Sequence, residues 1–73
     1  MNHYFKDVQT LKAVDVYRVL MLFDVKSHPI GHAVKKLLCA GKRGAKDKTQ
    51  DVQEAINSLL RYLEMQTENE NDK

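Results

Sequence analysis

A chain of 73 residues makes one domain, and a core this small supplies only about 3–5 kcal/mol unless something staples it. The lone Cys39 makes no internal disulfide, and with three histidines beside it there is no zinc-ligand spacing, so self-association is the remaining route to stability. No apolar run approaches the ~20 residues of a membrane span, the start Asn2-His3-Tyr4 does not read as a signal peptide, and one free cysteine fits a reducing cytoplasm.

The first ten residues read as an N-terminal arm. A first helix is expected over 11–24. Nine of its eleven residues from Ala13 to Phe23 are apolar or aromatic, more than one buried stripe needs. One side, Val14, Tyr17 and Met21, is expected to face the other helices. The opposite side, Val16, Val19, Leu20 and Phe23, is then expected to face another subunit or a host partner, unless Tyr4, Phe5 and Val8 of the arm fold back over it.

A second helix is expected over 29–40. Ser27 or His28 caps it, Pro29 sits where a missing N–H is harmless, and Gly41 ends it in a left-handed conformation. Ile30, Ala33, Val34, Leu37 and Leu38 are expected to form its buried face, with His32, Lys35, Lys36 and Cys39 on its sides. Cys39 reads as a small half-buried apolar residue.

The connection that follows is the densest in charge. Residues 35 to 48 hold six basic side chains against the single acid Asp47. Gly41 and Gly44 leave the backbone free to approach a ligand, and the next helix opens at once, so its N–H groups point into the same region. An anion suits this arrangement, with Lys35, Lys42, Arg43 and Lys46 neutralising phosphate, the backbone from Gly44 donating hydrogen bonds, and Tyr4 or His32 stacking on a base.

The third helix is expected over 48–65, begun by a capping box of Asp47 and Gln50. Its stripe is Val52, Ala55, Ile56, Leu59, Leu60 and Leu63. Asp51 and Glu54 lie one turn apart and read as a solvated face rather than a Mg²⁺ site. Residues 66–73, acidic and without a hydrophobic side chain, read as a disordered solubilising tail.

No G-x-x-x-x-G-K-[ST], H-E-x-x-H, G-x-S-x-G or Cys–His nucleophile pattern occurs, so a non-enzymatic role without cofactor or metal is expected. The run Gly31-His32-Ala33-Val34-Lys35-Lys36-Leu37-Leu38-Cys39-Ala40-Gly41-Lys42-Arg43-Gly44, followed by Asp51-Val52-Gln53-Glu54-Ala55-Ile56, resembles a family of small bacteriophage proteins. Their function is unknown, although some members carry the label nucleotide kinase. The family pattern is close to G-N-x-I-K-Y-x-x-R-x-G-x-K and then E-D-L-x-K-A-I-x-Y-L. His3-Tyr4 and Asp15-Val16-Tyr17 also fit, so the resemblance covers about residues 3–63. Lys35, Gly41, Arg43, Asp51 and Ala55 match. His32 replaces an Asn, Cys39 an Arg, and Asn57-Ser58 an aromatic pair, which weakens any shared nucleotide chemistry. The resemblance implies a phage or prophage protein in a bacterial cytoplasm.

The expected molecule is therefore a compact all-α three-helix domain that forms a homodimer or higher oligomer. Its expected role is capture of a nucleotide or another phosphate-bearing ligand. An inhibitor of a host protein is the alternative, and nucleic-acid binding ranks lower because recognisable motifs and interleaved aromatics are missing.

Overall fold

The structure, a computed structural model, describes residues 4–42 and 44–71, with the side chains of Ala45, Lys46 and Asn71 left aside. The fold is all-α. The described residues form α1 (Val16–Leu22), α2 (His28–Leu38) and α3 (Ala45–Asn71), with no strand among them and no helix long and apolar enough to cross a membrane.

α1 begins later than apolar density alone suggests, because Asp15 intervenes as an N-cap. Its carboxylate accepts the Arg18 N–H at 2.8 Å, which fixes the first turn at Val16. The helix ends two residues before Asp24, in a Schellman turn. Asp24 N–H donates to the Met21 carbonyl and Val25 N–H to the Leu20 carbonyl, with Asp24 held at φ +58°.

The orientation of α1 also departs from expectation. Tyr17 and Met21, expected to face inward, are 64% and 69% exposed, and Val14 is exposed as well. Val16, Val19 and Leu20, expected at a subunit interface, are half-buried, and Leu20 Cδ1 approaches Gly31 of α2 closely. Phe23 remains exposed, with the Lys6 ammonium 5.3 Å from its ring centre, while Tyr4, Phe5 and Val8, expected as the alternative cover of α1, stay exposed themselves. A helix apolar on nearly every side carries no phase in its sequence, and the fit of Leu20 against a glycine sets it here.

The start of α2 is capped as its sequence implies, but the helix ends at Leu38 with Cys39 as C-cap, two residues before the expected 40, so that Gly41 shapes the turn beyond the helix rather than its end. Ser27 Oγ accepts the Ile30 N–H at 3.3 Å, Pro29 lies in the first turn, and the Cys39 N–H closes the last turn on the Lys35 carbonyl. The chain then reverses through Gly41 at φ +77°, where a Cβ would stand 2.9 Å from Lys48 Cβ. Both the angle and the space demand glycine.

α3 starts at Ala45, three residues before the expected position, because the Gly44 carbonyl accepts the Lys48 N–H and so takes the capping place. Asp47 lies inside the first turn, where a carboxylate complements the helix dipole, rather than ahead of it. The helix also passes the expected stop near Met65 and continues to Asn71, so residues 66–71 are helical rather than disordered. No glycine or proline interrupts it. Arg61 binds Glu64 at 3.2 Å and Glu68 at 2.8 Å across the junction, a bracket that supports the next turns. Residues 1–3 of the arm and 72–73 of the tail lie outside the described residues.

α2 and α3 form an antiparallel hairpin. Ala33 and Ala55, each 2% exposed, are the buried apolar residues among those described, and their small side chains let the two backbones approach. His32 pairs with Ser58 and Lys36 with Glu54, which sets the register. Most larger apolar side chains of the hairpin remain exposed, Leu37 and Leu38 among them, so of the expected buried face of α2 only Ala33 is fully covered, with Ile30 and Val34 half-buried.

Candidate functional site

The polar groups gather along one edge of the hairpin and around Lys35. On the edge, Lys36 Nζ lies 2.7 Å from Glu54 Oε1 and 3.5 Å from Asp51 Oδ1, while the Gly41 N–H donates to Asp51 Oδ2 at 3.4 Å. The hydrogen bond to Glu54 holds the Lys36 ammonium above its ordinary pKa, assisted by the charges of Glu54 and Asp51 and opposed by desolvation. The same bond holds the Glu54 carboxyl below its ordinary value, assisted by the Gln50 amide. Asp51, 6% exposed, is not the solvated carboxylate its sequence position suggests. Asp51 and Glu54 share a cation that the chain itself provides, which removes the motive for a Mg²⁺ ion there.

This arrangement separates the basic residues into two groups. Lys36 is neutralised within the hairpin edge. Lys35, one residue earlier, turns to the α1 side of α2, where its ammonium stands 5.9 Å from the centre of the Tyr17 ring. Lys35 borders two clefts. The first, about 470 Å³, runs between α1 and α2, with Tyr17, Leu20 and Val25 as an apolar wall opposite Lys26, His28 and His32. The second, about 380 Å³, lies at the end of α2, where Lys35 meets Lys36, Cys39, Lys42 and Asp51.

Of the residues expected to bind a ligand, Lys35 and Lys42 therefore meet at the second cleft, and Lys35 and His32 at the first. His32 Nδ1 and Ser58 Oγ share a hydrogen bond of 2.6 Å, which fixes the ring against α3. Gly44 stands at φ +139° where α3 begins, exposed and adjacent to the basic turn. Tyr4 is 72% exposed and borders neither of the clefts on Lys35. Arg43 and the Lys46 side chain lie outside the described residues. Cys39 is exposed rather than half-buried, at the mouth of the second cleft.

Sequence reasoning missed Lys26, His28 and Tyr17 as neighbours of Lys35. Their juxtaposition depends on the Schellman turn at Asp24, which folds α1 back beside the start of α2. The only local signal was Asp24-Val25-Lys26-Ser27, a short polar interruption between two apolar segments.

No protein-family model, no curated protein and no solved structure matches this chain.

Proposed function

We propose that the protein is a small non-catalytic binding protein that captures a phosphate-bearing ligand, a nucleotide or nucleotide signal, with Lys35 as the central contact. The observation that carries this reading is the position of Lys35, on the wall shared by two clefts and beside the Tyr17 ring. A nucleotide needs an apolar surface for its base and cations for its phosphates. The α1–α2 cleft offers Tyr17, Leu20 and Val25 for the first and Lys26 and Lys35 for the second. Its volume of about 470 Å³ falls within the roughly 300–1,000 Å³ usual for small-molecule sites. Lys42 extends the positive potential along the second cleft, and the likeness of the Gly31–Gly44 run to small bacteriophage proteins supports a bacterial cytoplasm as the setting.

A thermal-shift panel of nucleoside phosphates, cyclic dinucleotides and inorganic phosphate tests the reading. A ligand at 100 times its Kd raises stability by about 2.7 kcal/mol. Lys35→Ala is expected to weaken that ligand about tenfold or more, since a charge-assisted hydrogen bond contributes roughly 1.5–3 kcal/mol. A flat response to the whole panel overturns the proposal.

A second reading, inhibition of a host protein, is favoured by Tyr17 and Met21, which project from α1 into solvent. Loss of activity in a phage-infection assay on Met21→Glu, with nucleotide binding unchanged, selects it.

A further inference from the structure

We infer that the apolar side of the α2–α3 hairpin docks a second copy of this chain, so that two hairpins form a four-helix arrangement. The periodicity of both helices separates their faces. His32, Lys36, Asp51, Glu54 and Ser58 bind one another along one edge. Leu37 and Leu38 of α2, with Ile56, Leu59, Leu60 and Leu63 of α3, lie around the other side and are 40–59% exposed.

Three features select a second copy as the occupant. The first is area. The chain exposes 6246 Å², against about 4,600 Å² for a folded monomer of its 8.4 kDa mass, an excess of about 1,600 Å² that the exposed arm, the polar end of α3 and the bare hairpin face share, where each partner of a standard interface contributes ≈ 800 Å². Its radius of gyration is 15.1 Å where about 11 Å is usual, and its shortest dimension is 17 Å, less than two helix diameters. A second layer of helices is what such a slab lacks.

The second feature is the seam itself. Val52, Ile56, Leu59 and Leu63 follow the alternating four-three spacing of helices that pack along their length on other helices. α3 has 27 residues and α2 only 11, and with Ser58 opposite His32 the last turns of α3 extend beyond the start of α2. Leu63, five residues past Ser58, therefore lies level with the very start of α2, where a facing copy of α3 covers it.

The third feature excludes the nearest alternative. Among the described residues of the N-terminal arm, Lys6 rests on Phe23 beside α1, and none covers the hairpin leucines, which stay exposed.

Light scattering on the full chain at high micromolar concentration tests this. The expected mass is twice the 8.4 kDa of the chain, with a melting temperature that rises with concentration. Leu60→Glu is expected to give a folded monomer by circular dichroism, while Met21→Glu, on the outer side of α1, remains a dimer. Neither Lys35 cleft includes these leucines, so nucleotide affinity is expected to survive in the monomer. A monomeric wild-type protein, or a dimer that persists in Leu60→Glu, overturns the inference. Should Leu60→Glu fail to fold, Leu60→Cys in a Cys39→Ser background decides: efficient coupling of two chains by a short bismaleimide supports the face, and its absence at the same concentration overturns it.

Discussion

Asp51 joins the two ends of the inter-helix turn: its side chain, 8% exposed on α3, accepts the N–H of Gly41 at 3.4 Å and faces the Lys36 ammonium of α2 at 3.5 Å. Removing such an acceptor leaves a half-buried donor and a cation short of a partner, at the lower end of about 1–3 kcal/mol. Asp51→Ala is therefore expected to lower the urea midpoint substantially. Asp51→Asn retains an oxygen for Gly41, and Lys36 keeps its shorter contact with Glu54, so the loss is expected to be smaller. Equal midpoints for Asp51→Ala and wild type contradict this account.

Two glycines are expected to respond oppositely to alanine. Gly41 sits at φ +77° with Lys48 Cβ 2.9 Å from where its own Cβ would be, so Gly41→Ala combines left-handed strain of about 1–2 kcal/mol with a collision between two backbone-anchored atoms. Gly31 lies within α2, and its Cβ would meet Leu20 Cδ1 at 3.7 Å, ordinary contact. Gly31→Ala is expected to stabilise the fold by about 0.5–1 kcal/mol, the usual helical advantage of alanine. Chemical denaturation of both variants reads the two signs.

The elements with end signals were the legible ones. Ser27, Pro29 and Gly41 marked α2 because each acts through local backbone geometry, and the Val52–Leu63 stripe marked α3 because its polar residues supply a phase. α1 has no such contrast, so its length and facing depended on Asp15, Asp24 and the contact of Leu20 with Gly31. Composition alone places the end of α3 too early, because an acidic, non-apolar tail carries no stripe, while Arg61 reaches Glu64 and Glu68 from within the helix. In the candidate site, Lys35 was legible as a cation beside the turn. Its separation from Lys36 was not, because that follows from the antiparallel register that brings Glu54 to one lysine and Tyr17 to the other.

Asp24 is expected to be improvable. It holds φ +58° at the end of α1, a position where glycine carries no Cβ penalty, and its ion pair with Lys26 spans 3.6 Å between highly exposed groups, which is worth little. Asp24→Gly is expected to raise stability by about 0.5–1 kcal/mol, since relief of left-handed strain exceeds the added freedom of the unfolded chain. Differential scanning calorimetry checks it, and a lower melting temperature in Asp24→Gly means that the Asp24 side chain contributes more than its position indicates.

The Lys36–Glu54 pair predicts a window of pH. Glu54 is held below its ordinary 4.5, principally by the hydrogen bond from Lys36, so its contribution is complete above the unfolded value and is lost as pH falls through the lowered one. Lys36 is held above 10.5, principally by the same bond, so its contribution is complete below 10.5 and disappears as pH rises through the higher folded value. Urea midpoints measured from acid to strongly alkaline pH are expected to show the wild type ahead of Glu54→Gln by a constant margin between these limits. That margin is expected to close at both extremes, in acid because Glu54 becomes neutral and in alkali because Lys36 does. A margin that stays open in strong acid, well past the lowered value of Glu54, means that Glu54 stabilises the hairpin through packing rather than through its charge.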